Sequence, residues 1–88
     1  MEIRKVKLNN EVGLHARPAA LFVQTASKFV SDIYLELDGT QVSGKSIIGL
    51  MSLGAFHGEE ISIIAKGEDE KEAIDELTYL VENGLKEV

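Results

Sequence analysis

The run Gly13-Leu14-His15-Ala16-Arg17-Pro18 places an imidazole and a guanidinium directly ahead of an amphipathic helical pattern. A neutral imidazole keeps a nucleophilic nitrogen lone pair. The start of a helix adds unpaired backbone N–H groups and the positive end of a dipole, which disfavours a cationic ring and favours a bound anion. A phosphoryl group carried on His15 suits that position. Pro18 has no N–H, so the amides on offer are those of Ala16, Arg17 and Ala19, and the Arg17 guanidinium supplies a fork of donors matched to phosphate oxygens. Small side chains at Ala16, Ala19 and Ala20 leave the ring approachable. In the plainer alternative His15 is only a helix cap and Arg17 a solvated charge, and spacing alone does not choose between them.

The chain shows no other transfer machinery. It has no glycine-rich phosphate loop, no nucleotide-binding lysine motif and no paired acids beside His15 that would hold a metal. Neither a cofactor nor a metal is expected. A phosphoryl group, with its roughly −1.5 to −2 charge, would therefore be accepted from one enzyme and given to another, and the protein is expected not to be an enzyme itself. The second histidine, His57, stands alone in Phe56-His57-Gly58 and receives no role.

Eighty-eight residues make one domain, 1–88, with a thin core and little room for an enclosed cavity. There is no cysteine to form a disulfide or a thiolate site. The N-terminus lacks the apolar run of a signal peptide and no stretch is long enough to span a membrane, so a cytoplasmic protein without membrane insertion is expected. The net charge of −6 is uneven. Residues 1–58 hold six cations against five carboxylates, net +1, whereas residues 59–88 hold three lysines against ten carboxylates, net −7. Such an acidic total argues against nucleic acid as a partner, and the slightly cationic part around His15 suits an acidic or phosphorylated protein.

Residues 2–8 read as a strand with Val6 and Leu8 on one face. Residues 16–28 read as a helix, with Ala19, Phe22, Val23, Ala26 and Val30 on its apolar stripe and Pro18 in the first turn. Ile33, Leu35 and Leu37 alternate with polar residues up to Asp38-Gly39, a two-residue hairpin turn, and residues 40–43 return as its second strand. Residues 46–53 form a short helix opened by Ser46 and ended by Gly54. A strand at 60–66 and a helix at 69–84 with Ala73, Ile74, Leu77, Leu80 and Val81 inward complete the order β-α-β-β-α-β-α. The fold class is α+β, an open-faced sandwich of a four-stranded antiparallel sheet with three helices on one face.

Two features beside the motif carry further meaning. A helical wheel puts Arg17, Ala20, Leu21 and Gln24 away from the core stripe, which leaves Leu21 apolar without an internal reason. In the short helix Leu50 and Leu53 can face inward while Ile47, Ile48 and Met51 occupy another arc. These residues are either absorbed by the thin core or form a surface for docking partners, where methionine adapts well. Ser46 is explained fully as an N-cap, yet a phosphate is also physically welcome there and would change surface charge without unfolding the helix.

Across its whole length, and above all at Gly13-Leu14-His15-Ala16-Arg17-Pro18-Ala19 and at Lys45-Ser46-Ile47-Ile48-Gly49-Leu50-Met51-Ser52-Leu53-Gly54-Ala55, the chain resembles HPr, the histidine-containing phosphocarrier of the phosphoenolpyruvate-dependent sugar phosphotransferase system. The resemblance implies a four-stranded antiparallel sheet covered by three helices. It implies that His15 Nδ1 takes a phosphoryl group from phosphorylated enzyme I and passes it to IIA components of sugar permeases, assisted by Arg17. It also implies that Ser46 is the substrate of an ATP-dependent HPr kinase/phosphorylase, the phosphoserine form acting with a catabolite control protein and accepting poorly from enzyme I. Position 48 departs mildly: relatives often hold methionine or phenylalanine there and this chain holds Ile48. A regulatory relative keeps the serine region without the histidine, and His15 argues against that relative.

Two other classes compete. A small hydrolase using His15 as general acid or base lacks a partner for the histidine and a second domain to form a pocket. A nucleic-acid platform on the open sheet would need stacking aromatics, and the strands offer little beyond Tyr34. A carrier that needs its site uncovered is most simply a monomer.

Overall fold

The structure, a computed structural model, describes residues 1–85. Its elements are β1 (Glu2–Lys7), α1 (Ala16–Ala26), β2 (Asp32–Leu37), β3 (Thr40–Ser43), α2 (Ile47–Leu53), β4 (Glu60–Lys66) and α3 (Glu70–Tyr79), with a π-helical turn, Leu80–Gly84, after α3. The sheet order is β1-β4-β2-β3, and every neighbouring pair is antiparallel. β4 thus lies between β1 and β2, and α1 provides the crossover that this order requires. The expected open-faced α+β sandwich is the observed one.

Alternation decides which face is covered. Val6, Ile33, Leu35, Ile61, Ile63 and Ala65 are all buried and meet Ala19, Phe22, Ala26, Leu50, Ile74 and Leu77 from the three helices in one core. Phe22 is its largest member and is fully enclosed. Gly44 allows the chain to pass close over it: a Cβ there would lie 2.6 Å from Ile33 Cγ2 and 3.2 Å from Phe22 Cε1, while its N–H donates to the Ile33 carbonyl at 2.7 Å. That approach sets the entry into α2. The hairpin turn has φ of +50° at Asp38 and +83° at Gly39, the two positive values a two-residue turn of this twist demands.

Three boundaries differ from the sequence reading. β1 ends at Lys7, although Leu8 remains fully buried and its N–H donates to the Glu59 carbonyl at 2.9 Å. α1 ends at Ala26 rather than 28, because the N–H groups of Lys28 and Phe29 bond back to Thr25 and Ala26 in tighter turns. That turn brings Phe29 against the core and leaves Val30, expected on the stripe, 72% exposed. The last helix starts at Glu70 and widens after Tyr79. In that wide turn Gly84 lies against the Leu80 side chain, and a Cβ there would fall 2.6 Å from Leu80 Cδ1.

Asp69 precedes α3 but does not cap it with its side chain. Its carboxylate instead accepts from the Val30 and Ser31 N–H groups, each at 3.0 Å, and from the Ser31 hydroxyl, tying the turn after α1 to the start of α3. The Ser31 hydroxyl bond is the main reason its pKa falls below the ordinary 3.8, with the two backbone donors adding to it. A carboxyl with a depressed folded-state pKa stabilises the fold above its unfolded value, and that contribution disappears as pH drops through the folded value. Asp69→Asn is therefore expected to unfold at lower urea than the parent at pH 7, and the difference should shrink on acidification below 3.8. Urea midpoints measured at both pH values check this; an equal difference at both would refute the linkage.

Candidate functional site

His15 is positioned by a backbone-to-backbone contact between two loops. Residues 8–15 lie against residues 55–59: Leu14 N–H donates to the Ala55 carbonyl at 3.1 Å and Gly58 N–H to the Leu8 carbonyl at 2.7 Å. Gly13 has φ of +64°, and a Cβ on it would fall 2.4 Å from the Ala55 oxygen and 2.8 Å from Phe56 Cα, so no other residue fits without displacement. Asn10, 4% exposed, closes the first loop by donating from Nδ2 to the Gly13 carbonyl at 2.9 Å. His57 Nδ1 lies 3.1 Å from the Asn10 carbonyl. The second loop is held in turn by Phe56 N–H donating to Glu59 Oε1 at 2.9 Å. Leu14 is buried next to this contact, and His15 follows it into solvent.

His15 is the N-cap residue of α1, in extended conformation with φ −137° and ψ 150°, yet its side chain makes no capping bond. The exposed ring is thus not used by the helix. Ala16, the first helical residue, has φ of +48°. For a residue with a Cβ this left-handed conformation costs on the order of 1–3 kcal/mol, sustained by the packing of Leu14 on one side and of buried Pro18 and Ala19 on the other. Arg17 is exposed and has no salt bridge among the described residues. An exposed imidazole, two early helix amides at Ala16 and Arg17 and an unpaired guanidinium therefore occur in one short segment.

Ser46 lies at the other helix start, where its Oγ accepts from Gly49 N–H at 3.0 Å and its carbonyl from Leu50 N–H at 3.0 Å. It is the N-cap that the sequence suggests, and Gly54 ends the helix with φ of +71°. Lys45 extends away to donate from Nζ to the Phe29 carbonyl at 2.7 Å. Around Ser46, Ile48 is 81% exposed, Ile47 43% and Met51 39%, while Leu50 is buried and Leu53 half-buried. The core does not absorb those three side chains. Ala20 and Gln24 are exposed on α1, but Leu21 is half-buried and packs against the core. Of the two alternatives, the core therefore absorbs part of Leu21.

Sequence reasoning missed Asn10 and His57 as supports of the His15 loop, and Phe56, which is 66% exposed just past the Gly13 contact. An aromatic residue in a glycine-rich turn was the available signal for Phe56. Among the described residues there is no group of three or more metal-ligating side chains, and no helix is long and apolar enough to cross a membrane.

Residues 3–83 match the family model described as the PTS HPr component phosphorylation site. The chain is 53% identical to the HPr-like protein Crh of Bacillus subtilis (strain 168) over 79 residues, covering 90% of this chain and 93% of that one. A crystal structure of Crh is described as a dimer with a swapping domain, and as that of a catabolite repression protein. HPr from Thermoanaerobacter tengcongensis superposes with a TM-score of 0.94 at 49% identity, covering 100% of this chain and 98% of that one. Phosphocarrier protein HPr from Bacillus anthracis str. Ames gives 0.88 at 45% identity, covering 91% and 95%.

The loop contact sets an expectation. Gly13→Ala combines a positive φ with a Cβ inside contact distance of backbone, and should destabilise the protein by more than about 1 kcal/mol. Urea unfolding of the variant, compared with Gly39→Ala, where a Cβ meets nothing within 4 Å, separates the steric part from the conformational part.

Proposed function

Because the chain belongs to the HPr family, we propose that it is a phosphoryl carrier, accepting on His15 from phosphorylated enzyme I and donating to IIA components of sugar permeases. The observation that carries the reading is the His15 ring, exposed at a helix start and free of any capping role. The Nδ1 lone pair attacks phosphorus as the bond to the donor breaks, and the reverse displacement delivers the group to the next acceptor. Amides of Ala16 and Arg17 with the Arg17 guanidinium stabilise the added negative charge. The partners supply the remaining chemistry, so the protein acts as a substrate of other enzymes. Ala20, Leu21, Gln24, Ile47, Ile48 and Met51 form the docking surface, with Leu21 contributing only its outer part. Against a monomer stands the relative Crh, which is described as a dimer.

Ser46 gives the regulatory half of the proposal, with HPr kinase/phosphorylase acting on it and a catabolite control protein binding the product. A phosphate on this half-buried hydroxyl lies beside Ile47, Ile48 and Met51 and repels an acidic partner docking there. A second reading, a regulatory protein without transfer activity, draws on the 53% identity to Crh. The presence of His15 favours the carrier.

Incubation with enzyme I and phosphoenolpyruvate should give one acid-labile, base-stable phosphate that is absent from His15→Ala. No label on the parent protein would leave only the regulatory reading. Arg17→Ala should accept more slowly with its fold retained, measured as initial rate beside a circular dichroism spectrum. The cap and the switch separate at Ser46. Ser46→Ala should lose about 1 kcal/mol of stability with enzyme I affinity kept, whereas Ser46→Asp keeps a cap and should bind enzyme I less well, most clearly at low salt.

A further inference from the structure

The helices cover one face of the sheet, and alternation puts a second set of side chains on the other. The strand register fixes how these line up. One row runs Ile3, Ile64, Tyr34 across β1, β4 and β2; the next runs Lys5, Ser62, Glu36. Ile64 is only 9% exposed although it lies outside the core beneath the helices, which follows from Ile3 and half-buried Tyr34 flanking it; Ile3 itself is 55% exposed. Lys5 and Glu36 stand two strands apart, roughly 10 Å, and neither has a salt bridge among the described residues. The apolar row is uniform and the charged row reads cation, neutral, anion.

We propose that this face is an interface between two copies of the chain, stacked sheet to sheet about a twofold axis running along β4. Rotation about that axis lays β4 on the partner's β4 and β1 on the partner's β2. Ile64 then meets the partner's Ile64, Ile3 meets the partner's Tyr34, and Lys5 meets the partner's Glu36, the last two contacts occurring twice by symmetry. The outer positions are less favourable, because Glu60 would face the partner's Glu60 and Lys66 the partner's Lys66. Stacked sheets cross at about 30°, which spreads those ends apart and confines contact to the two central rows. The interface is therefore small and the association weak. α1 and α2 lie on the opposite side of the sheet, so the dimer leaves His15 and Ser46 uncovered.

Sedimentation equilibrium from about 1 μM to about 1 mM should show reversible dimerisation in the upper part of that range. A monomer throughout would overturn the proposal. Lys5→Glu and Glu36→Lys should each weaken dimerisation by about tenfold or more, and the double reversal should return it to within about threefold of the parent. A dimer indifferent to the single reversals would overturn the proposal, as would one that the double reversal fails to restore. Dimers formed by exchange of strands belong to the first of these outcomes, because Lys5 and Glu36 would keep their places within one sheet. Ile3→Ser, at an exposed position, gives an independent arm and should also weaken the dimer; circular dichroism confirms that each variant is folded.

Discussion

The closeness of two backbones at Gly13 and Ala55 is the constraint on which the candidate site depends. With a gap too small for a Cβ, the loop after β1 is held directly on the loop after α2, and no side chain is available to act as a compliant spacer. Buried Leu14 anchors the segment, and His15 and Ala16 then take the conformations left to them, the second with positive φ. Local strain of this kind persists only where the surroundings over-determine it. Here the surroundings are the Leu14 contact on one side and Pro18 and Ala19 in the core on the other. The imidazole is held in solvent by this support although its side chain makes no hydrogen bond among the described residues.

The two helix starts reach similar electrostatics by different means. At Ser46 the side chain satisfies a backbone amide, which is ordinary capping, and any chemistry there must compete with that bond. At His15 the cap residue leaves its amides unsatisfied, and the nearest cation, Arg17, is unpaired among the described residues. Three other cations are engaged: Arg4 with Asp75, Lys28 with Glu76 and Lys45 with the Phe29 carbonyl. The positive potential of the segment therefore remains available to an incoming anion.

Much of the fold was legible because local rules and tertiary demands agreed. Asp38-Gly39 had to be a tight turn, Ser46 and Gly54 had to bound a short helix, and the alternating strands had to bury one face. Legibility failed where a residue's fate was set by a distant segment. Val30 continues the period of α1, but the chain turns after Ala26 and it is Phe29, half-buried, that packs against the core instead. Leu21 is surplus on an isolated helix, yet it is half-buried against the core. The supports from Asn10 and His57, and the role of Asp69 at Ser31, arise from contacts across the chain that no periodicity encodes. The places of His15 and Ser46 at helix starts were legible because the residues around them, Pro18 in the one case and Gly54 in the other, mark where helices begin and end.

α2 is seven residues long and anchors only Leu50 completely, with Leu53 half in. So brief a helix has no stability of its own in water, and it stays formed because of those few contacts and its cap. Its amides should consequently exchange hydrogen with solvent sooner than those in β4, whose ladder is bonded on both sides. A fluctuation that opened segment 46–53 while the sheet stayed intact would release the Ser46 hydroxyl from its bond to Gly49 and leave it on extended chain.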